Sequence, residues 1–117
     1  MFDKFKVSED LEKMALDVLE VARDTGRIKK GINETTKAIE RNQAKLVFFA
    51  SNVQPPEIVM HLPPLCSEKK IPFIVVSDKK KLGKLSGIEV ATSSVAIVDP
   101  GDGAKVLKDL VSKLASK

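Results

Sequence analysis

The residues from Gly31 to Arg41 read Gly-Ile-Asn-Glu-Thr-Thr-Lys-Ala-Ile-Glu-Arg. They combine the opening of a helix with a set of side chains that could do chemistry. At about 100° per residue, Asn33, Lys37, Arg41 and Glu34 fall within an arc of roughly 100°. Ile32, Thr35 and Ile39 lie on the opposite side, which can face a core. One face thus carries an amide, a carboxylate and two cations, close to a helix N-terminus whose free N–H groups and partial positive charge favour a phosphate. Gly31 at its head lets another backbone come close. A pure phosphate binder has no use for Glu34, and a metal site would want more carboxylates or imidazoles. A nucleic-acid reader can use the whole set: cations for phosphates, Asn33 for a base edge, Glu34 to accept from base donors. Guanine offers two adjacent N–H donors on its Watson–Crick edge. A carboxylate meets both only where that edge is unpaired, as in an irregular RNA element. The alternative is a solvated helix face with one ordinary Glu/Lys pairing.

Other reactive side chains are sparse. His61 is the only histidine and follows Ile58 and Val59 in an apolar helix, which points to a packed, hydrogen-bonded residue. Cys66 is the only cysteine, so it can form no internal disulfide, in keeping with a reducing compartment. A His61/Cys66 pair lacks a third group to orient it, so no catalytic residue is expected. No metal-ligand spacing occurs. Gly83 and Gly87 form no dinucleotide fingerprint and no phosphate loop is present; no cofactor is expected. Lys79, Lys80, Lys81 and Lys84 form a second basic cluster, at least two of them read as solvated surface. Ile88-Glu89-Val90 places two apolar side chains in a connection, where they either fold back into the core or contact something bound.

These residues need a scaffold. The 117 residues suffice for one domain, 1–117, with a real core, and 43% hydrophobic with 31% charged residues suits a soluble globular chain. The sequence shows no bilayer-length apolar run and no signal-peptide pattern, so a cytoplasmic location is expected. Twenty Lys+Arg against sixteen Asp+Glu leave a net charge of +4, a mild bias towards polyanions. Trp and Tyr are absent and only five Phe are present, so base stacking on an aromatic platform is not expected.

Ser8 can cap a helix with Glu9 and Asp10 in its first turn, and Leu11, Met14, Ala15, Val18, Leu19 and Ala22 repeat at helical spacing up to Thr25-Gly26. Arg27, Lys29 and Lys30 form a basic approach to the central helix, which ends near Asn42-Gln43. The apolar runs Lys45–Ala50, Pro72–Val76 and Ser94–Val98 predict inner strands. Short helices are predicted from Glu57 to about His61 after Pro55-Pro56, from Leu65 to Lys69 after an interruption at Pro63-Pro64, and from Lys79 to Leu85 under an Asp78 cap. Pro100 to Gly103 reads as a turn, and Val106, Leu107, Leu110, Val111 and Leu114 mark a last helix. Residues 115–117 are expected to fray. Helices alternating with β-branched strands give the α/β class: a three-layer α/β/α sandwich around a small, mixed sheet of about four strands.

The segments GINETTKAIER, PPEIVMHLPPLC, KKIPFIVV, LGKLSGIEV and SSVAIV closely resemble archaeal members of the L-seven-Ae family, kink-turn RNA-binding ribosomal and guide-ribonucleoprotein proteins. The resemblance runs from about Val7 to Val98, and the Gly-x-Asn-Glu helix motif is its most specific part. It implies recognition of a kink-turn, a bent RNA element with tandem sheared G·A pairs, and partners in ribosomal RNA, box C/D and H/ACA guide RNAs and RNase P RNA, together with guide-ribonucleoprotein core proteins. It further implies that Asn33, Glu34 and Lys37 contact the sheared-pair guanines, that Gly31 gives the RNA backbone room, and that Arg41 neutralises a phosphate one turn further on. Lys79 matches a family lysine near an extruded loop nucleotide, and Ile58, Ile88 and Val90, with Glu89, match the surface against which that nucleotide packs.

The chain also departs from the family. Gln54 stands where an acidic residue often faces the extruded base. Ala91 replaces a common proline, which should loosen the Ile88–Val90 loop. Ile32 is larger than the usual small residue, and Asn42-Gln43 replaces a glycine-containing turn. The expectation is a non-enzymatic RNA-binding protein, monomeric when free and with no membrane association. The rivals are a protein adaptor using the same helix face and a small α/β enzyme using Cys66 or His61.

Overall fold

The computed structural model describes Phe2 and residues 5–115; of the tail expected to fray, residues 116–117 lie outside the described residues. The first helix, α1 (Glu9–Thr25), begins as its sequence requires. Ser8 Oγ accepts from the Leu11 N–H at 3.2 Å, and Glu9, Asp10 and Glu12 occupy the positive first turn. Its buried face is Ala15, Leu16, Val18, Leu19 and Ala22. Gly26 caps the helix, but its φ of −129° is not left-handed. The need for glycine there is proximity: a Cβ would collide with the Asp99 carbonyl.

That close approach brings in a strand that the sequence did not announce. Arg27–Lys30 forms β1, antiparallel to β4 (Ser94–Asp99). Three of its four residues are basic, which is poor strand composition, yet the ladder to β4 decides its conformation. It is an edge strand, and its charges discourage further pairing. β2 (Leu46–Ala50) is buried throughout and pairs antiparallel with β4 and parallel with β3 (Phe73–Val76), giving the mixed order β1-β4-β2-β3. The four-stranded mixed sheet of the sequence reading is therefore present.

Helix α2 (Ile32–Glu40) packs with α3 (Leu62–Lys69), while α1 packs with α4 (Lys79–Leu85) and α5 (Ala104–Ala115). The sheet lies between these two groups. The largest fully buried side chains include Phe48, Phe49, Leu19, Ile39, Leu62 and Leu110, and Phe49 stacks on Phe73 at a centroid distance of 6.0 Å. No helix among the described residues is long and apolar enough to cross a membrane.

One expected helix is absent. Over Glu57 to His61 there is instead a single 3-10 turn, Pro56–Ile58, and His61 is an exposed residue preceding α3. Pro63-Pro64, expected to interrupt, sits inside the first turn of α3, where backbone N–H groups have no intrahelical partner to lose.

The register decides where function can reside. Lys30 pairs with Val95, Phe49 with Ser94, and Ala50 with Val76. The C-terminal ends of β1, β2 and β3 and the N-terminal end of β4 thus share one edge of the sheet. The connections at this edge are laced by main-chain hydrogen bonds: Gly31 N–H to Ser94 O at 2.9 Å, Ala50 N–H to Ser93 O at 3.0 Å, Ser51 N–H to Val76 O at 2.9 Å and Thr92 N–H to Lys79 O at 3.1 Å.

Gly83 seats the last of these connections. A Cβ at Gly83 would collide with the Val90 carbonyl and crowd the Ala91 Cα, both backbone atoms. Gly83→Ala gains about 1 kcal/mol of helix propensity but must push the loop away, at about 1–3 kcal/mol. We expect a net fall in the urea unfolding midpoint; a rise would mean that the loop is not seated on this helix.

Candidate nucleic-acid interface

At the head of α2, Gly31 has φ +89° and ψ 162°, a region essentially reserved for glycine. Beyond Gly31 itself and its two chain neighbours, no atom of the described residues lies within 4 Å of where its Cβ would stand, so the space beside it is open. No side chain caps the helix, and the first intrahelical bond is Thr35 N–H to Gly31 O at 2.9 Å. The N–H groups of the first turn are left without an intrahelical partner. Thr35, Ala38 and Ile39 are buried and Ile32 packs against the core, while Asn33, Glu34, Lys37 and Arg41 are exposed. The division into two faces is the one the sequence predicts.

Within the exposed face, Lys37 Nζ lies 3.6 Å from Glu34 Oε2, both side chains about half exposed. Such a pair is worth only a few tenths of a kcal/mol, so either group can turn to a ligand at little cost. Among the described residues Arg41 and Lys79 have no ion-pair partner. Arg41 stands at the C-cap of α2, eight residues beyond Asn33 and so about 12 Å along the axis; it can reach only a more distant part of the same ligand.

The other predicted residues come from the neighbouring connections. Lys79 begins α4, whose first turn is capped twice: Asp78 Oδ1 accepts from Lys80 N–H and Asn52 Oδ1 from Lys79 N–H, each at 2.9 Å. Asn52 thereby ties the connection after β2 to the one after β3. Gln54 is exposed and precedes a cis peptide bond to Pro55. Ile58 is 37% exposed and Val90 70%, whereas Ile88 is half-buried beside exposed Glu89. An aliphatic side chain as exposed as Val90, on a connection pinned at both ends, is poorly accounted for by the core. The edge therefore joins cations and an uncapped helix end with a carboxylate and exposed aliphatic groups.

Of the two residues set aside as structural, Cys66 is buried and His61 is not. Cys66 is fully buried, and burial pushes its thiol up from 9.0 to about 12; a nucleophile needs the reverse. His61 is hydrogen-bonded, as expected, but exposed rather than packed: its Nε2 lies 2.9 Å from Thr36 Oγ1, joining the α3 entrance to α2. No group of three or more His, Cys, Asp or Glu that could hold a metal ion occurs among the described residues.

A profile of the ribosomal protein L7Ae/L30e/S12e/Gadd45 family matches residues 13–107. The chain belongs to this family. Among solved structures, the 15.5kD RNA binding protein of Giardia lamblia superimposes with a TM-score of 0.89 at 30% sequence identity, over 95% of this chain and 92% of that one. On this placement the protein is a non-enzyme, and the burial of the Cys66 thiol agrees.

Sequence reasoning missed Asn52, Gly83 and Thr92, which hold the site rather than form it. Their signals were faint: an asparagine after a strand, a glycine within a seven-residue helix and a threonine before a strand.

The raised Cys66 thiol carries a pH dependence. In the unfolded chain the thiol ionises near its ordinary value, while in the folded chain it stays protonated to about 12. Between these limits the unfolded state holds fewer protons, so this contribution to stability is complete below the lower value and is lost as pH rises through the window. The stability of wild type relative to Cys66→Ala should therefore decline above pH ~9, as followed by chemical denaturation at several pH values. A constant difference would show that the thiol ionises alike in both states.

Proposed function

We propose that this protein is a single-domain kink-turn RNA-binding protein. It selects the sharply bent form of an RNA containing tandem sheared G·A pairs and presents it for ribonucleoprotein assembly. The observation that carries this reading is the shared edge: the register puts the open head of α2, Lys79 and the Val90 loop at one edge of the sheet, where three strands exit and β4 enters. Family membership and a structural relative named as an RNA binding protein support it.

In this reading Glu34 accepts from guanine N–H groups, Asn33 and Lys37 donate to guanine O6, and the RNA backbone passes close to Gly31. Lys79 and Arg41 take phosphates. Val90, Ile88 and Ile58 meet an extruded nucleotide, with Gln54 and Glu89 at its rim. The targets that fit are ribosomal RNA, box C/D and H/ACA guide RNAs and RNase P RNA, in the cytoplasm. RNA crosslinked to the protein in its own cells, then sequenced, identifies which of them it serves.

Glu34 gives the sharpest test. Electrostatics alone predicts that Glu34→Ala binds RNA more tightly, since the variant is more basic. Base reading predicts weaker binding to a kink-turn RNA by about 1–3 kcal/mol. Affinity equal to or above wild type in a direct titration would remove Glu34 from recognition.

Charge and shape separate in a second comparison. Lys79→Ala should weaken binding to every kink-turn about equally and make the salt slope shallower by about one unit. Replacing Ile88 and Val90 together by alanine removes no charge. The salt slope should hold while discrimination between a kink-turn and a plain duplex falls, because an extruded nucleotide exists only in the bent RNA. Full discrimination in that variant would assign the loop to the core.

A further inference from the structure

The connection between α4 and β4 is held from behind by a residue of α1. Arg23 Nη1 donates to the Leu85 carbonyl at 3.3 Å. Leu85 is the last residue of α4, where a carbonyl has no intrahelical donor and a cation is favoured. The carbonyls before it are met locally: Ser86 Oγ donates to Leu82 O at 2.6 Å, Ile88 N–H to Gly83 O at 3.0 Å and Gly87 N–H to Lys84 O at 3.1 Å. The Leu85 carbonyl is met from another helix.

The rest of the Arg23 side chain is equally constrained. Nε and Nη2 donate to the two carboxylate oxygens of Asp24 at 2.8 and 3.2 Å, which fixes the plane of the guanidinium. Its aliphatic stem lies under Gly87, where φ is +89° and a Cβ would stand 3.0 Å from Arg23 Cδ. Glycine thus meets two demands at this position, the backbone turn and the arginine beneath it. With the guanidinium engaged by Asp24 and Leu85, Arg23 is a poor candidate for a phosphate contact.

We infer that Arg23 is a positioning residue for RNA recognition: through the Leu85 carbonyl and Gly87 it fixes the start of the loop that displays Ile88 and Val90. The far end of the loop is fixed by Thr92, whose N–H donates to Lys79 O and whose Oγ1 donates to Ser94 O at 3.3 Å. Between these two anchors Glu89, Val90 and Ala91 are exposed. A loop already held in its bound shape loses less conformational entropy on binding. This inference rests on the loop having the role given to it under the proposed function.

The test uses the full-length chain, a synthetic hairpin carrying a kink-turn with tandem sheared G·A pairs, and a plain duplex. Arg23→Met keeps the stem against Gly87 and removes the donors. Its kink-turn over duplex preference should fall by about three- to tenfold, the scale of one hydrogen bond, with an unchanged salt slope. Amide exchange at residues 86–91 should quicken in the free protein. Introduced into the Ile88→Ala/Val90→Ala background, Arg23→Met should cost nothing further, since it acts through those side chains. Arg23→Lys should give a smaller loss on the same pattern, and it replaces Arg23→Met throughout if the latter does not fold.

A shallower salt slope and an equal loss on both RNAs would make Arg23 a phosphate contact and overturn the inference. So would unchanged exchange at residues 86–91, or an undiminished cost in the loop-variant background. If the loop variant alone keeps full discrimination, the loop's role in the proposed function fails, and the inference falls with it. If the loop variant loses discrimination and Arg23→Met does not, only the inference fails.

Discussion

Strand β4 lies between β1 and β2 and runs antiparallel to both, and the rest of the site depends on that placement. Because β2 is parallel to β3, one inner strand of opposite sense brings three strand exits and one strand entry to a single edge. The Gly31 N–H is bound to the Ser94 carbonyl, and the Ala50 N–H to the neighbouring Ser93 carbonyl. Two consecutive residues at the entry to β4, Ser93 just before it and Ser94 at its start, therefore set the height of α2 and of the connection after β2. A shift of this ladder by one residue would exchange the faces of β4 and carry the head of α2 with it. Burial resists that: β2 is covered on both sides, and Val95, Ala96 and Ile97 are fully buried.

The charge arrangement fits what the proposed function asks of such an edge. A surface made only of cations binds any polyanion, with an affinity governed by salt rather than by sequence. In the proposed function Glu34 weakens that general attraction and offers in exchange a contact that a paired, regular helix cannot satisfy. The Lys37 neighbour at 3.6 Å keeps the carboxylate from standing unopposed in the free protein. Because both groups remain half exposed, their pairing is weak enough to be replaced on binding.

Legibility in the sequence tracked how local each cause was. The two faces of α2 could be read directly, because 3.6-residue periodicity and one positive-φ glycine are properties of eleven adjacent residues. The inner strands were legible as apolar runs. β1 was not, since three basic residues in four carry no strand signal and only the pairing with β4 makes them extended. The segment from Pro56 to His61 misled for the opposite reason. Its apolar residues suggested a helix, but after the 3-10 turn it only links β2 to α3, and His61 turns outward to Thr36. The residues that hold the site, Asn52, Thr92 and Gly83, meet partners up to 27 residues away, which no window of sequence displays.

In the proposed function these supports matter because of what selecting a bent RNA demands. Moving an RNA from one part kinked in a hundred to ninety-nine parts requires about 5.5 kcal/mol of preference for the kinked form. A single good base contact supplies about 1–3 kcal/mol of discrimination, and an exposed phosphate contact gives almost none, since both forms carry phosphates. In the proposed function the three base-reading side chains of α2 would together supply about 3–9 kcal/mol if additive, a range that straddles the requirement, so a contact that exists in the bent form only widens the margin. The 70%-exposed Val90 is suited to that contact, provided its loop is ordered before the RNA arrives. A mobile loop would spend about 1–2 kcal/mol per residue on becoming ordered, which would consume the preference it was meant to supply. In that reading, backbone anchors on α4 and β4 that are already formed in the free protein become part of the recognition energy.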